Sequence, residues 1–174
     1  MPSVDPSVDP SIDAAVTAIQ ERQAQANVPI ACAESCTGGL IAARLVGIDG
    51  SGDWFRGGVV AYQADVKFSC LGVRPGPVIN PDAAVEMAIG VARLLGGRIS
   101  LATTGVAGPD EEEGVPVGRV FVAISVDGRA DVHRLDLAGD PLAVRYGATR
   151  AAVLLLRDAV CVGVDRRHDA AIRS

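Results

Sequence analysis

A chain of 174 residues, 49% apolar but only 3% aromatic, is long enough for one buried core and must fill it with Ala, Val, Leu and Ile. A formal net charge of −5 with no basic stripe argues against nucleic-acid binding, because neutralising phosphates takes clustered Lys and Arg. No apolar run approaches the ~20 residues of a membrane span, and the N-terminus lacks the basic and hydrophobic regions of a signal peptide, so the expected location is cytoplasmic, away from a membrane.

Residues 2 to 13 are three copies of a Pro-Ser-(Val/Ile)-Asp tetrad. Its prolines bar a helix, which predicts a flexible leader over residues 1–10. Ser11 or Asp13 then caps a helix to about Ala26, with Ile12, Val16 and Ile19 on one face and Gln20 to Gln23 on a wet one. Pro29 to Ala33 reads as a buried strand. It ends abruptly in Glu34-Ser35-Cys36-Thr37-Gly38-Gly39, the pattern of a strand running into a helix N-terminus. That helix is expected over Thr37 to Val46. A second strand follows over Gly57 to Tyr62, with Trp54 ahead of it as an apolar anchor. A helix from Gln63 to Leu71 stops at Gly72, and Asn80-Pro81-Asp82 opens a longer one to about Leu95.

A third strand, residues 98–104, also ends in hydroxyls and glycines, Thr103 to Gly108. Two such ends on a parallel sheet fall on the same edge, where ligands bind in open α/β folds. Glu111 to Glu113 reads as a solvated loop. Strands over 118–126 and 130–137 flank the hairpin signal Asp127-Gly128, and a last helix spans Pro141 to about Val160. The whole predicts one α/β domain, residues 11–162, with a disordered tail over 163–174. Its architecture is a three-layer sandwich in which helices flank a mixed, mostly parallel sheet, completed by a C-terminal β-hairpin and helix. Apolar helix faces leave room for a homo-oligomer.

For chemistry, Ser35 at the strand-to-helix turn is the candidate nucleophile, near unpaired backbone N–H groups and the positive end of a helix dipole. The plainer reading, that Ser35 or Thr37 only caps the helix, also stands. His133 lies in a hairpin strand and His168 in the tail, so no Ser-His-Asp triad assembles. Lys67 is the only lysine among 16 Lys and Arg residues, and a desolvated lysine can serve as the base, whereas arginine cannot. With Tyr62 to orient it or relay its proton, a Ser-Lys-Tyr set could converge at one sheet edge. The cysteines read as mostly buried small hydrophobes, with Cys36 the exception whose pKa a helix N-terminus would lower. No metal or cofactor is expected.

Ala33-Glu-Ser-Cys-Thr-Gly-Gly39, Phe55-Arg-Gly-Gly-Val-Val-Ala-Tyr62, Lys67 with Leu71-Gly-Val73, Thr104-Gly-Val-Ala-Gly-Pro-Asp110 and Pro116-Val-Gly-x-Val-Phe-Val-Ala123 together resemble the CinA C-terminal domain. That resemblance implies a nicotinamide-nucleotide amidase, converting nicotinamide mononucleotide to nicotinate mononucleotide and ammonia. Ser35 would be the nucleophile, Lys67 the general base and Tyr62 its partner. Thr37, Gly38, Gly39, Thr104, Gly105, Gly108 and Arg145 would bind substrate, the 104–108 loop and Arg145 being candidates for its phosphate. The loop after Gly108 is acidic where the family has glycines, and Gln63, Ala64 and Pro141 replace its usual residues. A non-catalytic nucleotide-binding or interaction module of the same fold, or an amidase for another small carboxamide, are the alternatives.

Overall fold

The computed structural model describes residues 9–172, with side chains as far as Val162. Five strands, β1 (Ile30–Glu34), β2 (Phe55–Val60), β3 (Ile99–Gly105), β4 (Arg119–Val126) and β5 (Arg129–Asp136), form one sheet in the order β2-β1-β3-β4-β5. β1 is parallel to β2 and β3, whereas β4 and β5 run antiparallel. The helices are α1 (Pro10–Ala26), α2 (Leu40–Val46), α3 (Ala64–Leu71), α4 (Pro81–Leu95) and α5 (Pro141–Ile172). α1, α2 and α5 pack on one face of the sheet, α3 and α4 on the other. The expected mixed sheet between two helical layers, with its hairpin and final helix, is what the chain forms.

Burial on both faces follows from alternation along the strands. In β1, Ile30 and Cys32 face the core beneath α1 and α5, while Ala31 and Ala33 face α4. The alanine side lets α4 come close. Within α4, a Cβ on Gly90 would stand 1.9 Å from the Leu71 carbonyl oxygen, so only glycine allows α3 and α4 their contact. α4 begins where expected, with the Asn80 side chain accepting from Ala83 N–H at 2.8 Å and Pro81 at its first position. Asp127 and Gly128 both take positive φ in the β4–β5 turn, as a two-residue type I′ hairpin requires.

Several sequence expectations are corrected. α1 starts at Pro10, and its cap is Asp9, which accepts from Ser11 N–H at 2.8 Å; Ser11 and Asp13 lie within the helix. The tetrads over residues 1–8 fall outside the described residues. Gln23 is buried, not wet: its side-chain amide exchanges two 2.8 Å hydrogen bonds with the backbone of Val28, fixing the end of α1 to the start of β1. Of the cysteines, Cys32 and Cys36 are buried while Cys70 is exposed and Cys161 partly so. α5 continues to Ile172, through the stretch expected to be a tail. Among the described residues no helix is long and apolar enough to cross a membrane.

Candidate active site

Order β2-β1-β3 means that the chain leaves β1 to one side and returns on the other. The carboxyl ends of β1 and β3 therefore open a crevice at a topological switch point. A cavity of about 180 Å³ occupies it, lined among others by Ser35, Cys36, Tyr62, Lys67 and Thr104.

Ser35 stands in the turn between β1 and α2, which starts only at Leu40, later than the expected Thr37. What shapes this turn is Glu34. Its carboxylate is fully buried and accepts from Gly39 N–H (2.9 Å), Ile41 N–H (3.2 Å), Ala42 N–H (2.8 Å) and the Thr37 hydroxyl (2.7 Å). The N-terminal donors of α2 are thereby used internally, so the positive end of that helix is spent on Glu34 rather than offered to a ligand. Gly38 and Gly39 take positive φ, the conformation in which glycine costs least. Ser35 N–H donates to the Thr103 carbonyl and Gly38 N–H to that of Ser35, both at 3.0 Å. The Cys36 and Thr37 N–H groups take no backbone carbonyl and lie near the Cys36 sulfur, where they act to lower its pKa. The Ser35 side chain is 8% exposed, and among the described residues nothing hydrogen-bonds its hydroxyl.

Lys67, on α3, is only 2% exposed. Burial pulls its pKa below the usual 10.5, although Glu112, Cys36 and Glu113 pull it back up. Desolvation wins because an ammonium removed from water loses more than distant carboxylates return. Its amine donates to the Tyr62 backbone carbonyl at 2.8 Å rather than to the Ser35 hydroxyl. The Tyr62 ring is 67% exposed, which corrects the expected role: the carbonyl, not the phenol, holds the lysine. Cys36 is corrected as well. Burial, with the charge of Glu34 adding to it, outweighs the nearby N–H groups and pushes its thiol up to about 12, so it is no thiolate nucleophile near neutral pH.

The opposite wall is built by the segment before α4 and the loop after β3. The Thr104 hydroxyl donates to the Val78 carbonyl at 2.8 Å. The Glu113 carboxylate accepts from Val78 N–H (2.8 Å) and Ile79 N–H (2.9 Å). Glu113 is thus a clamp in an otherwise exposed acidic loop, beyond the solvated role expected of it. Asp110 and Glu112 line the cavity beside it.

Of the predicted residues, Ser35, Tyr62, Lys67, Thr104, Gly105 and Gly108 meet at this one cavity. Thr37, Gly38, Gly39 and Arg145 do not line it. Thr37 is buried against Thr103, hydroxyl to hydroxyl at 2.8 Å. The Arg145 guanidinium lies against Gly38, where an added Cβ would meet it at 3.0 Å. His133 stays on the edge strand β5, in a separate hollow beside α5. Sequence reasoning missed Glu34, although an acid closing an apolar strand just before a helix N-terminus is a readable signal. It also missed Val78, Ile79 and Glu113, whose part depends on contacts more than thirty residues apart in sequence. Among the described residues no group of His, Cys, Asp or Glu side chains is placed to hold a metal ion.

A family profile, the CinA C-terminal domain, matches residues 12–160. A putative competence-damage inducible protein of Halothermothrix orenii is 42% identical over 136 residues, covering 74% of this chain and 33% of its own length. A CinA-like protein of Frankia casuarinae is 39% identical over 138 residues, covering 76% and 32%. The chain thus spans about a third of these relatives. Among solved structures, a CinA superfamily protein of Klebsiella pneumoniae superposes with a TM-score of 0.82 at 28% identity, covering 88% of this chain and 99% of that one. The competence/damage inducible protein CihA of Agrobacterium tumefaciens gives 0.81 at 29%, covering 87% and 96%. With most of its length matched by the profile, and its fold shared with these structures, the chain belongs to the CinA C-terminal domain family.

Proposed function

We propose that the protein is an amidohydrolase acting through Ser35 and Lys67 on the carboxamide of a pyridine nucleotide, nicotinamide mononucleotide being the substrate that the family resemblance points to. The observation that carries this reading is one cavity in which a buried serine, its hydroxyl without a protein partner, shares the lining with a buried lysine of depressed pKa. A lysine that loses its proton below its ordinary range is the base a serine needs when no histidine is near.

In this mechanism Ser35 Oγ attacks the amide carbon while its proton passes to the neutral Lys67 amine. The oxyanion is received by the Cys36 and Thr37 N–H groups, which neither a backbone carbonyl nor the Glu34 carboxylate takes; such a donor is worth about 3 kcal/mol in other enzymes. Collapse breaks the C–N bond, and Lys67 returns the proton so that ammonia leaves. Water then attacks the Ser35 ester, giving its proton to Lys67, which passes it to Ser35 Oγ as the C–O bond breaks and the acid product departs. The Tyr62 carbonyl holds the amine during this cycle. The bond between nucleophile and base tightens as substrate binds, which accords with an amine that rests on the Tyr62 carbonyl.

Ammonia release from nicotinamide mononucleotide tests the reading, with Ser35→Ala and Lys67→Met as controls. Release should fall at least a thousandfold in both. It should rise with pH through the depressed lysine pKa, since only the neutral amine accepts a proton. No release from the wild type on any pyridine carboxamide would leave a binding module of the same fold, and release indifferent to Lys67→Met would remove Lys67 as the base.

A further inference from the structure

Resting on the amidase reading, we infer that Thr103 is a positioning residue: from the neighbouring strand it braces the Ser35 turn at two points, and so sets where the Thr37 N–H stands to receive the oxyanion. Alternation along β3 sends its two adjacent threonines to opposite faces of the sheet. Thr104 goes to the α4 side, where its hydroxyl donates to the Val78 carbonyl of the opposite wall. Thr103 goes to the α2 side, beside Glu34, its register partner in β1.

The side chains there bond in one direction only. Thr37 gives its single hydroxyl proton to the Glu34 carboxylate at 2.7 Å, so Thr103 must donate the 2.8 Å bond between the two threonines. Glu34, Thr37 and Thr103 are all fully buried, where a lost bond is not replaced by water. The main chain of Thr103 holds the turn as well, since its carbonyl accepts the Ser35 N–H at 3.0 Å. Thr103 thus grips both sides of Cys36, at the nucleophile through its carbonyl and at Thr37 through its hydroxyl. The other bonds of Glu34 run forward to Gly39, Ile41 and Ala42, so the tie across to β3 falls to Thr103. A catalytic donor has to be held within about 0.5 Å of its productive place by side chains that are themselves locked. A looser turn would still bind substrate but would stabilise the transition state less.

Thr103→Val keeps the branched shape that suits a strand and deletes the donor, whereas Thr103→Ser keeps the donor. With nicotinamide mononucleotide as substrate, ammonia release by Thr103→Val should show kcat lowered about tenfold or more and KM within about twofold of the wild type, the mark of a contact made only in the transition state. Thr103→Ser should recover kcat to within about threefold of the wild type. Thr103→Ala, which puts no methyl group against the Thr37 oxygen, should give the same split and serves if the valine disturbs the fold. Amide hydrogen exchange at Ser35 and Gly38 should be about tenfold faster in Thr103→Val than in the wild type or Thr103→Ser, with β4 amides unchanged. Wild-type kcat in both the valine and alanine variants, a raised KM at unchanged kcat, or exchange that quickens equally throughout β1 and β4 would overturn the inference. No ammonia from the wild type would sink the amidase reading instead. Exchange then still decides this one: unchanged rates at Ser35 and Gly38 overturn the brace, and a local rise that serine reverses supports it.

Discussion

Two carboxylates hold the two walls of the cavity, and they do so in opposite surroundings. Glu34 sits fully buried inside the turn it organises, with three backbone N–H groups and a hydroxyl pointing at it. Glu113 reaches from an exposed loop to clasp the N–H groups of Val78 and Ile79 across the cavity. Both answer the same need, since backbone donors without a strand or helix partner must find an acceptor. The difference lies in what replaces the acceptor when it is removed. Glu113 itself borders solvent, so water can take the place of its carboxylate, whereas Glu34 is fully buried. The nucleophile's wall is therefore fixed and the substrate's wall adjustable, a division suited to a site that must hold Ser35 still while admitting a ligand.

The largest effect should come from Glu34→Ala. It strands four donors in a dry interior and leaves a cavity, which together should cost about 3–5 kcal/mol of folding stability. Urea unfolding followed by circular dichroism measures this directly. Glu34→Gln keeps one acceptor oxygen and should lose roughly half as much. A Glu34→Ala protein of wild-type stability would show that the turn is held by its glycines and hydroxyls alone, and the contrast with Glu113 would vanish.

This contrast also explains what the sequence could and could not disclose. Elements set by local pattern are legible: the apolar run of β1, the Asn80-Pro81 start of α4, the Asp127-Gly128 turn, and the hydroxyl-rich ends of β1 and β3. That two strand ends share an edge follows from parallel pairing, so the meeting of Ser35 with Thr104 and Lys67 at one cavity could be foreseen. Illegible were properties created by burial and by distant contacts. Cys36 carries the signal of an activated thiol, yet Glu34 has already taken the helix donors and burial does the rest. Tyr62 has the right position, but which of its oxygens meets Lys67 depends on the path of the chain into α3. Arg145 is likewise on the expected helix, and it lies against Gly38 rather than in the lining of the cavity.

Lys67 lies between the two walls and should give the next largest effect, with the opposite sign. Its pKa in the folded protein is below 10.5 because burial disfavours the ammonium. Between that depressed value and 10.5 the unfolded chain binds a proton that the native state does not, so stability rises with pH across the window; below the window the full cost of the buried ammonium remains. Lys67→Met removes the cost, against the loss of one hydrogen bond to Tyr62 worth about 1 kcal/mol. The variant should be inactive yet more stable than the wild type at neutral pH, with a higher Tm. The gap between variant and wild type should close as pH approaches 10. A gap that is constant with pH would mean that the lysine is not desolvated.

The smallest effect should belong to Glu113→Gln. The amide keeps an oxygen for Val78 or Ile79, the loop is exposed, and water can satisfy whichever donor is released, so global stability should change by less than about 1 kcal/mol. What should change is local. Hydrogen exchange at the Val78 and Ile79 amides should speed up by roughly tenfold while exchange within β1 and β3 stays at the wild-type rate, because only the adjustable wall is loosened. Removing this charge also withdraws a carboxylate that raises the Lys67 pKa. The alkaline rise in amidase activity should therefore begin at lower pH in the variant, a shift that a purely mechanical role for Glu113 would not produce. Faster exchange throughout β1 as well would mean that the two walls open together, and the fixed half of the comparison would have to be given up.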